Sequence, residues 1–357
     1  MTRRFIWINI VFINIVVAAT LTGCESVSYY GQIIAGKITI LNKRQPIKEL
    51  LAEPRIPETL KAQLGRVQEI RRFAKNQLFL PVKDQYLNYA DLERSFVVWN
   101  VFAAPEFSLT PKEWCYPVIG CMSYRGYFSK KGAINYANRL SEQGYDVFVS
   151  GVAAYSTLGW FDDPVLNTFV YRKDIELAAL IFHELAHRLI YVTSDTTFNE
   201  SFATFVEQEG LRRWLNHMGN PEAFQEYEKG SLRRRKFVQL IVKYRRQLEL
   251  LYTKKLSPPD KKREKTLIFD KLRSEYERTK AQWQGYSGYD NWFRHPLNNA
   301  QMSTVSVYNE LVPAFAVVLQ RSGDDLALFY ETCKNLAKKS KEERRMIFQQ
   351  YLKLSRA

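Results

Sequence analysis

Residues 174–192 constrain this chain more than any other stretch. Ile175, Leu177, Leu180, Phe182, Leu185 and Ile190 leave them almost no polar side, which predicts a helix buried on nearly every face. Inside that helix stands His183-Glu184-Leu185-Ala186-His187. A carboxylate buried among apolar side chains is costly without partners, so the rest of the chain has to bring groups to meet it. Histidines four apart point to the same side of a helix and can share one zinc ion. The glutamate between them then sits one turn from the metal, where it can take a proton from bound water. A hydrogen-bonded core cluster is the alternative reading of the same residues.

A third ligand has to come from nearby. The next helix is expected over about 197–216 and opens Thr197-Phe198-Asn199-Glu200-Ser201-Phe202-Ala203. Asn-Glu-x-x-Ala is the setting in which many two-helix zinc peptidases present their glutamate, and Glu200 is therefore the expected ligand. Thr197 and Glu200 also read as a capping box. Glu207 competes for the same role, since Glu200 follows His187 by 13 positions and Glu207 by 20. Two turns apart, both carboxylates lie on one helix face. A tight turn over Thr193–Thr196 brings Glu200 level with the histidines and leaves Glu207 about 10 Å further along, placed to steer a histidine ring. Three protein ligands leave the fourth zinc position to water, as catalysis requires.

With 357 residues, 46% of them hydrophobic and 14% aromatic, the chain can fold as one large domain or two ordinary ones. Intrinsic disorder is excluded for most of its length. Its 52 Lys+Arg against 37 Asp+Glu give a net charge of +15, a balance that attracts anionic membranes or wall polymers. No nucleic-acid-binding motif accompanies the charge, and much of the excess is confined to 231–280, so nucleic acid is not an expected partner.

Arg3 and Arg4 followed by the apolar run Phe5–Ala19 read as an export signal, short for a membrane span. Leu21-Thr22-Gly23-Cys24 resembles the bacterial lipobox, in which the cysteine is lipidated and becomes the new N-terminus; an uncleaved anchor is the alternative. Cleavage lowers the net charge by two, to +13. Glu25 and Ser26 follow, with no Asp at the second position, so the expected address is the outer membrane, facing the periplasm. There Cys115 and Cys121, six apart with Pro117 and Gly120 to bend the chain between them, are expected to form a disulfide, leaving Cys333 as a buried free thiol.

The chain thus divides into a signal peptide (1–23), a mainly helical N-terminal region (24–94) and a catalytic domain (95–357). Strands are expected at Phe96–Phe102 and Asp146–Val152, with a helix at about 130–143 between them and helices almost everywhere else. The fold class is α+β, mainly helical, with a small sheet packed beside the helix of 174–192. Within 222–284, two charged segments flank Ser257-Pro258-Pro259-Asp260. Phe237, Leu240, Tyr244, Leu248 and Leu251 share one face, and Phe269, Leu272, Tyr276, Thr279 and Trp283 another, which predicts a helical hairpin. Its basic residues form either a solvated face or an arm leaning on an anionic surface.

Other candidate residues carry alternatives. Gly151–Leu158 alternates small and polar residues, so Ala154, Tyr155 and Ser156 can pair main chain to main chain with an extended peptide, or form an ordinary edge strand. Asp162 and Asp163 either hold a substrate's free amine or cap a turn before Pro164. Tyr308 is the candidate donor to an oxyanion, with a buried core tyrosine as the alternative. His217 and His295 read as incidental.

The chain resembles the bacterial predicted-aminopeptidase family of HExxH zinc-dependent lipoproteins, metallopeptidases of gluzincin type. The resemblance runs over nearly all the mature chain, through Trp114-Cys115-Tyr116-Pro117 with Gly120-Cys121 and Tyr124-Arg125-Gly126-Tyr127-Phe128. It continues through Ala154-Tyr155-Ser156-Thr157-Leu158-Gly159-Trp160-Phe161, both helices above, Leu297-Asn298-Asn299-Ala300 and Tyr308-Asn309. It implies a zincin-like catalytic core with one zinc ion per chain and a lipid-anchored aminopeptidase acting on peptides in the bacterial envelope. An endopeptidase of envelope proteins or peptidoglycan, and a non-catalytic envelope scaffold, are the function classes left beside it.

Overall fold

The computed structural model describes residues 28–116, 120–154, 162–305 and 310–355. Helix α1 (28–42) leads into a two-residue strand, β1 (Gln45–Pro46), and the short α2 (Ile47–Ala52). Pro57 then starts α3 (Glu58–Asn76), whose Leu60, Leu64, Val67, Ile70, Phe73 and Ala74 recur at three- and four-residue steps and are all buried. Strands β2 (Asn88–Ala90), β3 (Val98–Pro105), β4 (Trp114–Tyr116), β5 (Gly120–Met122) and β6 (Arg125–Tyr127) follow, then α4 (Lys130–Glu142), β7 (Tyr145–Val152) and β8 (Val165–Leu166).

The strands form three small sheets. In the largest, β3 lies between β6 and β7, antiparallel to both, and its register with β7 runs from Val98↔Val152 to Pro105↔Tyr145. These are the two expected strands, with β3 beginning two residues later than Phe96 and extending to Pro105. Trp99, Val101 and Ala103 of β3 pack on Tyr136 and Leu140 of α4. One expectation needs correction here. The large sheet rests on α4 rather than on the helix of 174–192, and only its Val98 and Val152 end reaches that helix's core. The sheet that shares the core is the short β1-β2-β8 set, through Tyr89, Ala90, Val165 and Leu166. Cys115 and Cys121 face each other across the β4–β5 ribbon and form a disulfide, and Cys333 is a buried free thiol.

His183, Glu184 and His187 lie on α5 (Asp174–Leu189), and α6 (Thr196–His217) folds back against it. Gly210 permits the close approach: a Cβ there would meet Leu78 Cδ1 at 2.8 Å and Phe182 Cδ2 at 3.1 Å. Helices α7 (Ala223–Thr253) and α8 (Pro258–Gln282) form the expected hairpin. Ser257 caps α8 by accepting from the Asp260 amide, with prolines in the first turn where no amide hydrogen is needed. Phe237, Leu240, Tyr244 and Leu248 meet Phe269, Leu272 and Tyr276 in a separate core, completed by Trp283, Phe293 and Met302. Short helices α9 (Asp290–Phe293) and α10 (Asn299–Ser303) follow the hairpin. Helices α11 (Val312–Arg321), α12 (Leu326–Ala337) and α13 (Lys341–Leu354) then close over α6, stacking Phe315, Phe329 and Phe348 around Phe198 and Phe202. The chain is therefore mainly helical with small sheets, an α+β fold. Among the described residues no helix is long and apolar enough to cross a membrane.

Candidate metal centre

The turn between α5 and α6 decides whether their side chains can meet. Ser194 takes a left-handed φ of 64°, and Asp195 caps α6 by accepting from the Phe198 amide. The cap is thus not Thr197, and Glu200 is released from the capping-box role. Asn199 reaches back across the turn: its Oδ1 accepts from the Val192 amide at 2.8 Å, and its Nδ2 donates to the Val192 carbonyl at 2.8 Å. These paired bonds tie the first turn of α6 to the end of α5. Arg344 of α13 holds the cap from outside, donating to Asp195 Oδ2 at 3.0 and 2.7 Å, with both residues buried.

The result places Glu200 opposite both histidines. His183 Nε2 and His187 Nε2 lie 3.1 Å apart, and the Glu200 carboxylate oxygens approach them to 3.5 and 3.6 Å. One donor atom from each of the three residues falls within a 4.8 Å cluster. Ligand atoms about 2.0–2.1 Å from a tetrahedral ion lie about 3.3 Å from one another, so these three edges approximate one face of a zinc tetrahedron. The donor chemistry fits as well: two imidazoles and a carboxylate leave a fourth position open. Glu207 sits behind His183, accepting from its Nδ1 at 2.9 Å, and Tyr227 of α7 donates to the other Glu207 oxygen at 2.6 Å. With the proton fixed on Nδ1, the Nε2 lone pair of His183 is aimed at the cluster.

The electrostatics of the metal-free chain carry the same signature. Burial opposes charge on His183, but its bonds to Glu200 and Glu207 outweigh that and lift its pKa to about 10. Burial and the neighbouring His183 hold His187 down at about 4. Burial works against ionised Glu200 too, yet the two histidines keep its carboxyl below the usual value. A divalent cation held by these three residues would compete with the proton that His183 retains.

Glu184 lies beside His183 on the wall of a large cleft, about 1710 Å³, that runs from α5 and α6 to the inner side of the hairpin. Ala154, Asp162 and Asp163, expected to hold substrate, do not line this cleft. Asp162 accepts from Gln85 Nε2 at 3.1 Å, and the buried Asp163 fixes the 85–86 segment through its backbone, its amide donating to Gln85 Oε1 and its carbonyl accepting from the Tyr86 amide. Tyr155, Ser156, Tyr308 and Cys24 lie outside the described residues. His217 packs its ring against Phe73, away from the cluster.

Two residues of the site had no sequence signal. Tyr227 is brought to Glu207 by the hairpin's packing, and nothing local marks it. Tyr86 is buried, and its hydroxyl is held neutral by that burial and by the negative fields of Glu184 and Asp163.

Neither characterised proteins nor solved structures returned a match to the chain. A family model does match, over residues 28–348, and on that evidence the chain belongs to the putative aminopeptidase family.

Proposed function

We propose that this chain is a zinc-dependent peptidase, an aminopeptidase that hydrolyses peptides at the periplasmic face of a bacterial membrane, to which lipidated Cys24 anchors it. The observation that carries the reading is the convergence of His183, His187 and Glu200 next to Glu184, with His183 and Glu184 lining the cleft. His183, His187 and Glu200 would hold the ion, and bound zinc would polarise the scissile carbonyl and acidify water. Glu184 takes the proton of the attacking water and returns it to the leaving amine. Glu207 keeps the His183 ring oriented throughout.

Glu184→Gln should keep one zinc per chain and lose hydrolysis by about 10²–10⁴-fold, the usual worth of a positioned general base. Undiminished turnover in that variant sinks the mechanism. The cleft is open and longer than a dipeptide, which supports an endopeptidase as second reading. Peptides with blocked and free N-termini separate the two: an aminopeptidase leaves the blocked ones intact. Cys24→Ala should move the protein from the detergent phase to the aqueous phase of a membrane extract, and an unchanged partition refutes the lipid anchor.

A further inference from the structure

The cleft is larger than the 300–1,000 Å³ or so of ordinary small-molecule sites, at about 1710 Å³. Along α7 its lining runs from Glu226 to Arg246, about 30 Å at the helical rise. That length accommodates an extended chain of about eight residues. The charge of the α7 wall is one-sided: Arg233, Arg234, Arg235, Lys243 and Arg246 line the cleft against Glu226 alone. Among the described residues Arg234, Arg235 and Arg246 join no ion pair, whereas Lys243 is held by Glu275. Arg233 pairs with Glu226 at 3.3 Å and lies over the ring of Tyr286 at 4.5 Å, and its buried Nε has no hydrogen-bond partner among the described residues. Arg172 and Lys173, at the start of α5, line the same space and likewise join no ion pair among the described residues. Cations on the walls of a concave, partly apolar space reinforce one another's field.

We propose that this cleft is a binding groove for acidic peptides, in which the α7 cations receive carboxylate side chains on the part of the substrate that lies beyond the bond to be cut. The proposal rests on the peptidase reading and adds its substrate class. A phospholipid surface meets convex or flat cationic patches, whereas these cations line a concavity that also takes in His183 and Glu184. The open carboxylates Glu176 and Glu310 also line the space, so an amino terminus has partners there while the acidic remainder lies along α7.

The test uses two eight-residue peptides with the same first two residues and free amino termini, followed by either glutamates or glutamines. With the purified full chain, kcat/KM should favour the acidic peptide by about tenfold at low salt, and the preference should shrink as salt is added. In the exposed double variant Arg234→Glu/Arg235→Glu, the order of the two peptides should invert. Anisotropy of the labelled peptides on the Glu184→Gln protein repeats the ranking without turnover. Equal binding and equal turnover of both peptides overturn the proposal and leave the peptidase reading intact. Absence of turnover with a retained, charge-dependent binding preference overturns the peptidase reading and leaves the groove. Capture by phosphatidylglycerol vesicles with no preference between peptides makes the wall a membrane contact and overturns the proposal.

Discussion

His183 is the most determined side chain of the site. Glu207 holds its Nδ1, Tyr227 holds Glu207, and its Nε2 is left facing His187 and Glu200. His187 lacks such support among the described residues, where its buried Nδ1 has no hydrogen-bond partner. The ligands therefore differ in what their loss should do to zinc. Titrated into the metal-free protein, zinc should not bind stoichiometrically to Glu200→Ala, while Glu207→Ala should weaken binding by about 10–100-fold. Tyr227→Phe should cost less, because Glu207 remains to orient the ring. If Glu207→Ala strips the metal and Glu200→Ala keeps it, the ligands are misassigned. The same titration has a defined pH dependence. His183 is protonated below about 10 and His187 neutral above about 4, so zinc has to displace one proton across that window. Apparent affinity should then rise about tenfold per pH unit from about 5 to 9, with about one proton released per ion. The sign for stability is opposite. A histidine with a raised folded pKa stabilises the metal-free fold fully below its unfolded value of about 6.5, and that contribution is lost as pH rises through about 10. An affinity flat with pH would show that the centre carries no displaceable proton.

At the scale of the element, the site depends on a six-residue connection more than on either helix. Asn199 and Asp195 set the angle at which α6 returns, and Arg344 reaches in from α13 to neutralise the buried Asp195. Removing one partner of a buried ion pair strands the other, at a cost of about 3–5 kcal/mol. Arg344→Ala should therefore lower unfolding stability by about 3 kcal/mol in denaturant and weaken zinc binding as the turn loosens; loss of stability with unchanged metal affinity would show that the turn holds its geometry without the arginine. The helices themselves were readable from the sequence. Periodicity gave α5, α6 and both arms of the hairpin, and the alternating stretches gave β3 and β7. Strands of two or three residues such as β1, β2 and β8 carry too few residues for a pattern, so the sheet expected beside α5 is built from strands the sequence does not mark. The cap, for which Thr197 with Glu200 is the alternative reading, falls to Asp195 for a different reason. Thr193, Ser194, Asp195, Thr196 and Thr197 can all cap a helix, and the choice falls to a residue nearly 150 positions away. The Tyr227–Glu207 bond was hidden in the same way, since a tertiary contact leaves no local trace.

For the whole molecule, the hairpin is a fixed wall and not a free arm. At its outer end the buried Lys265 of α8 donates to Asp146 Oδ2 at 2.6 Å and to the Glu106 carbonyl at 2.8 Å. Asp146 also accepts from the Asn299 amide at 2.8 Å, joining the large sheet, α8 and α10 in one polar junction. At its inner end Tyr227 joins α7 to Glu207 beside the candidate metal centre. The basic surface read from the sequence is thereby divided, one part facing solvent and the other turned into the cleft. This gives the hairpin a testable mechanical role. Lys265→Ala leaves Asp146 without its cation, a loss of about 3 kcal/mol concentrated at the hairpin's outer attachment. Because α7 and α8 have their own apolar core, they should loosen from the sheet as a unit and not melt. Amide exchange should accelerate around 105–109, in β7 and across α10, while α5 and α6 stay protected and zinc stoichiometry stays at one. Hydrolysis of an eight-residue peptide should fall more than that of a dipeptide, since only the longer substrate reaches the displaced wall. Exchange that rises equally through α5 and α6 would mean that the hairpin and the metal centre open together, and the wall would then be part of the catalytic core itself.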